Sequence, residues 1–212
     1  MGRTGMKRIG RRSALGLVLL GAACGGRGSA PPAAAGPPSY RHLTPLRLDV
    51  AALDIAPAPP GPRVSAAPPS PVIPAQAMLT MAEDRLSASG RDGVARFMVQ
   101  TALLTRRPAS GGAFFSGGTE RLDCVLRCRL ELRSTEGELR GFAEAEVRRD
   151  LTQPADDDAA RARNADTIVR QAMADLNVEF EFQVRRNLRA ALMDIERSTP
   201  TPVPVEQEAL PR

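Results

Sequence analysis

Few residues in this 212-residue chain are equipped for covalent chemistry: it has three cysteines, Cys24, Cys124 and Cys128, one histidine, His42, and one lysine, Lys7. A lone imidazole excludes HExxH and paired-histidine metal sites. Cys124 and Cys128 have the spacing of a metal or redox pair, but on a strand rising about 3.3 Å per residue they share a face roughly 13 Å apart. A disulfide tolerates a Cα separation of about 7 Å at most, so the pair reads as two small apolar core residues. No Gly-x-Ser-x-Gly is present and no cysteine lies close to His42 in sequence, so the usual activated nucleophiles are missing. Glu144 and Glu146 share one strand face as paired acids would, which leaves acid–base hydrolysis as the enzymatic alternative. On the solvated side of a sheet the same residues are surface charge. Asp156, Asp157 and Asp158 lack the alternation and central glycine of a calcium loop and suit a helix start. Gly111, Gly112, Gly117 and Gly118 match neither phosphate-binding fingerprint. The expectation is a chain without catalytic residue, metal or cofactor.

Cys24 has a different context. Residues 1–23 hold Arg3, Lys7, Arg8, Arg11 and Arg12, no acid, and a small or apolar run from 13 onward. That run is short of the roughly 20 apolar residues a spanning helix needs, so it targets the chain and does not cross permanently. Arg11-Arg12 with Leu15 resembles the twin-arginine export signal. Leu20-Gly21-Ala22-Ala23-Cys24 resembles the bacterial lipobox, with Gly21 standing where the family usually has leucine. The resemblance implies cleavage before Cys24 and acylation there, and two or three acyl chains anchor stably where one does not. A plain signal-peptidase cut after Ala23, or in the Ala33–Ala35 run, leaving a soluble protein, is the alternative. Removing the five basic residues of the signal from the chain's 29 leaves 24, matching the 24 acids. The apparent basicity therefore belongs to the signal, and nothing points to nucleic acid.

Composition then divides what remains. Residues 24–42 read as a Pro/Ala/Gly tether, and residues 198–212 as a Pro-rich tail with no helix. The single domain lies at 43–197, interrupted by a Pro-rich loop at 56–74. Within it, residues 46–55 read as a strand whose phase slips at a bulge near Ala51 and Ala52. Ala75, Met78, Leu79, Ala82 and Leu86 predict a helix of about four turns ended by Gly90. Three strands follow: Ala95, Phe97, Val99, Thr101 and Leu103 share the face of one. Leu122, Cys124, Leu126, Cys128, Leu130 and Leu132 line the next, and Leu139, Gly141, Ala143, Ala145 and Val147 the last. Gly137 places a tight turn at 134–138. Ala165, Ile168, Val169, Ala172, Met173, Leu176, Phe180, Val184, Leu188, Ala191, Leu192 and Ile195 make the stripe of a long closing helix, although residues 178–184 also alternate as a strand would. At about 1.5 Å per residue such a helix of roughly 40 residues would overhang the strands or bend near Asn177. The predicted class is α+β: an antiparallel sheet of about four strands with one short and one long C-terminal helix on one face, in the order β-α-β-β-β-α.

Two apolar groups fall outside that core. Phe114 and Phe115 sit in a glycine-rich loop, and Val178 and Phe182 lie off the main helical stripe; both pairs are candidate partner contacts. The lipobox, the tether, Ser39-Tyr40-Arg41-His42-Leu43 leading into a strand, then helix, three strands and closing helix resemble the ABC-transport auxiliary lipoproteins of bacteria. The Pro-rich insertion departs from that layout. The resemblance implies a non-catalytic periplasmic subunit that docks onto other envelope components, held by lipid at Cys24, with the outer membrane favoured. A carboxylate hydrolase at Glu144 and Glu146, or a lipid carrier with an apolar cavity between sheet and helices, are the competing readings.

Overall fold

The computed structural model describes residues 36, 38–109, 119–154 and 157–193. Cys24, Phe114 and Phe115 lie outside the described residues. The fold is α+β, with a mixed sheet and two helices, the longer packed across it.

Three long strands form the frame: β5 (Val94–Pro108), β6 (Thr119–Arg133) and β7 (Leu139–Pro154), paired antiparallel with β6 central. Leu122, Cys124, Leu126, Cys128, Leu130 and Leu132 of β6 are all buried, as strict alternation requires. Gly137, at φ +88°, makes the β6–β7 turn. Against this face lies α2 (Asp158–Asn187), N-capped by Asp157, whose carboxylate accepts from the Ala160 N–H at 2.6 Å. Residues 178–184 are helical. Tertiary burial decides the ambiguity: a strand would put Val178, Phe180, Phe182 and Val184 on one face, whereas the helix buries Phe180 and Val184 beside Leu176 and leaves Val178 and Phe182 exposed. Phe180 meets Phe97 edge-to-face, centroids 5.8 Å apart. The expected overhang is absent: α2 stops at Asn187, so its 30 residues span about 45 Å, close to the roughly 50 Å of the 15-residue β6. Leu188 then turns inward against Gly141, and a single 3-10 turn, Arg189–Ala191, follows.

Several expectations are corrected at the N-terminal half. Residues 46–55 form two strands and not one bulged strand: β1 (Leu46–Leu48) and β2 (Ala52–Ile55). They belong to different sheets, β1 pairing β4 (Leu86–Ala88) and β2 pairing β5, both in parallel. The chain breaks between them because the Ala51 N–H donates to Gly93 O at 3.0 Å while Asp49 N–H donates to Ala191 O at 2.8 Å. The short helix α1 (Pro74–Arg85) ends one residue before Leu86, which starts β4; Gly90 does not cap it. Gly90 instead permits close approach of residues 49–50, since a Cβ there would lie 2.5 Å from the Asp49 carbonyl carbon. The Pro-rich stretch contains β3 (Val64–Ala66), also parallel to β5. The sheet is thus mixed: the β5–β6–β7 part is antiparallel and the strands on the other edge of β5 are not.

Three polar clasps tie the layers. Arg85, 1% exposed, donates to the Thr44 carbonyl and to Glu181 of α2. Arg106 of β5 pairs with buried Glu120, which also takes Arg161 of α2 at 3.2 Å, while Arg106 donates to Pro69 O at 3.1 Å. Asp84 accepts from Ser39 Oγ at 3.0 Å, the Tyr40 N–H at 2.8 Å and Arg41 Nε at 3.0 Å. Burial alone would raise the Asp84 carboxyl, but those three donors outweigh it and hold it below its ordinary value. The last residues of the predicted tether are therefore part of the domain, with Tyr40 in the core.

Candidate functional site

The face of the sheet away from the helices begins with an irregularity in β5. Val99 pairs with Cys128 and Thr101 with Arg127, so Gln100 is an extra residue in a bulge. Beyond it the alternation reverses: Ala102 and Leu104 are buried, whereas Thr101 and Leu103, expected on the core face, turn outward. The bulge coincides with a gap on the neighbouring edge. β2 pairs with Val94–Phe97 and β3 with Ala102–Leu104, and the segment joining them leaves the sheet between. An open cleft of about 560 Å³ results. Ala56, Pro57 and Pro59 form one wall, Met98, Gln100 and Thr101 the floor, and Arg63, Arg96 and Arg127 the basic lining.

Beside the cleft the outer face is a lattice of alternating charge. Glu144 takes Arg129 Nη1 at 2.8 Å and Arg127 Nη2 at 2.9 Å. Glu131 takes Arg129 Nε at 2.7 Å and Arg133 Nη2 at 2.6 Å. Arg127 also approaches Glu146, at 3.8 Å. The Arg129 guanidinium lies over the half-exposed ring of Phe142, 3.8 Å from its centroid. The hydrogen bonds from Arg129 and then Arg127 hold the Glu144 carboxyl below its ordinary value. A general acid needs the opposite shift, and neither Glu144 nor Glu146 lines the cleft.

Glu144 supplies a direct check. Its depressed folded value means that its contribution to stability is present above the unfolded pKa and is lost as pH falls through the folded one. In a carboxyl-carbon NMR titration its midpoint is expected below 4.5, and Arg129→Met is expected to raise it.

Two cleft groups remain uncommitted. The Gln100 side-chain oxygen is buried without a donor, although its Nε2 donates to Glu144 at 3.4 Å. Arg63 is exposed and has no carboxylate partner among the described residues. The exposed Arg63 guanidinium suits a ligand with an anionic group. Sequence reasoning missed this cleft, because neither the bulge nor β3 carries an alternation signal.

The other predicted positions are dispersed. His42 is exposed in the lead-in to β1. Cys124 and Cys128 are free and buried, and burial pushes both thiols up to about 12. Both are expected to resist a thiol reagent such as Ellman's in the native protein at mildly alkaline pH and to react on unfolding. Val178 and Phe182 are exposed on α2, at 69% and 53%. No group of three or more potential metal ligands occurs among the described residues, and no helix among them is long and apolar enough to cross a membrane.

No family model matches the chain, and no curated protein does. Among solved structures, a minor lipoprotein from Acinetobacter baumannii is similar over 71% of this chain and 96% of its own, at 11% identity and a TM-score of 0.36.

Proposed function

We propose that this chain is a non-catalytic binding module of an envelope complex, exported to the periplasm and held to a membrane, the outer membrane favoured, by lipid on Cys24. A place as a transport auxiliary subunit fits that reading. The observation that carries it is the cleft over the β5 bulge. It is basic, contains no acid among its lining residues, and has an exposed, uncommitted cation at Arg63. Nearby carboxylates are committed to arginines, which favours binding over acid–base work. A lipid carrier would need space between sheet and helices, yet Phe97, Phe180, Met78, Met81 and Leu126 fill that layer, each 0% exposed.

The test has two parts. Fatty-acid labelling is expected on the wild-type chain and absent from Cys24→Ser; persistent labelling of the variant would misplace the anchor. A photo-crosslinker at Met98, half-buried in the cleft, is expected to yield a discrete envelope-protein adduct in intact cells that weakens in Arg63→Glu. Crosslinking unaffected by that charge reversal would exclude the cleft as the contact.

A further inference from the structure

We propose that the outward stripe of α2 rests on an anionic phospholipid surface, so that the domain is oriented on the membrane as well as tethered to it. This rests on the lipid anchor at Cys24.

The stripe has what such a contact requires. Val178 and Phe182 are one turn apart and exposed, while the opposite side of the same helix is buried from Ala165 to Val184. Arg186 near the C-terminal end of α2, and Arg189 in the 3-10 turn just beyond it, are exposed and have no carboxylate partner among the described residues. The acids nearby are already engaged: Asp175 with Arg149, Glu181 with Arg85 and Arg185, and Glu179 with the Gln183 amide. An apolar pair followed by uncommitted arginines is the pattern of a helix lying in a lipid interface, with its cations among phosphate groups.

Chain geometry brings that stripe to the lipid. Arg170 Nη2 of α2 donates to the Gly36 carbonyl at 2.7 Å, so the polypeptide joins the domain beside this helix. At 100° per residue, Val178 and Phe182 lie roughly 80° and 120° around the helix from Arg170, and about 12 and 18 Å along it. From Cys24 to Gly36 there are 12 residue steps. Whatever their conformation, they reach at most about 40 Å. An acylated Cys24 therefore keeps α2 within a few helix diameters of the bilayer.

Size favours lipid over a protein partner. A stable protein interface buries about 800 Å² on each side, far more than one valine and one phenylalanine supply. A tethered domain needs much less, since the anchor fixes a high effective concentration at the surface.

The experiment uses the full acylated chain in vesicles of phosphatidylethanolamine and phosphatidylglycerol. A fluorophore is attached through Ala174→Cys on the stripe or, as control, through Ser65→Cys on the opposite face of the sheet. Quenching by doxyl-labelled lipid is expected to be strong at position 174 and weak at 65. It should fall about tenfold at 174 in the Val178→Asp/Phe182→Asp double variant, and weaken when phosphatidylcholine replaces phosphatidylglycerol. Val178→Ala/Phe182→Ala, which leaves helix propensity intact, should give a smaller loss in the same direction. Equal quenching at both positions with acylation intact would overturn the orientation while leaving the anchor standing. Concentration-dependent energy transfer between labels at 174, without lipid quenching, would overturn it in favour of a second copy of the chain. A chain without acyl groups would overturn both anchor and orientation.

Discussion

Glu120→Ala is expected to destabilise the fold by about 3–5 kcal/mol, because it leaves a buried arginine without its countercharge. The Glu120 and Arg106 side chains are 5% and 9% exposed, and Glu120 joins the start of β6 to the end of β5 and, through Arg161, to α2. Removal strands Arg106, whose Nε already lacks an acceptor. Its remaining bonds to the carbonyls of Pro69 and Arg161, at 3.1 and 3.4 Å, do not neutralise it. A urea titration followed by circular dichroism measures the loss. The double replacement Arg106→Met with Glu120→Leu is expected to recover much of it, since two apolar side chains have no charge to desolvate. A double variant no better than Glu120→Ala would mean that packing, not the unpaired cation, carries the cost.

Phe180→Ala is expected to cost a similar amount, about 3–5 kcal/mol, by opening a cavity where α2 crosses the sheet. Phe180 is fully buried and meets Phe97 at an interplanar angle of 89°. Phe182, two residues on, provides the contrast: at 53% exposure its replacement by alanine should stay within about 0.5 kcal/mol of wild type in the same titration. Equal losses at 180 and 182 would mean that residues 178–184 are not helical as described.

That contrast also shows what was legible in the sequence. β6 could be read directly, since apolar residues recur at every second position from Leu122 to Leu132 and are separated mostly by charged ones. The helical stripe through Ile168, Met173, Phe180 and Val184 was equally plain, and it prevailed over the alternation of residues 178–184 because burial across the sheet decides where local propensity is divided. The failures cluster where the chain changes direction. Thr101 and Leu103 were assigned to the wrong face because the extra residue at Gln100 has no compositional mark. β3 lies among prolines, which discourage a strand reading, yet it needs only the few backbone bonds an edge strand makes, such as Ala102 N–H to Arg63 O at 2.9 Å. Parallel pairing of β2 and β3 is a long-range choice that no local pattern records. The cleft inherits all three omissions.

The long edge of β7 has a further consequence. Over 16 residues it pairs only with β6 among the described residues, leaving backbone donors and acceptors along its other side. Such an edge is a template for polymerisation, and the hazard grows when molecules are confined to two dimensions and collide side by side. Arg140, Arg148, Arg149 and Asp150 are all exposed along it, and Pro154 ends it. A neighbouring copy arriving parallel and in register would set each arginine of the pair against its own kind, so the strand that completes the sheet also discourages its extension into parallel fibrils.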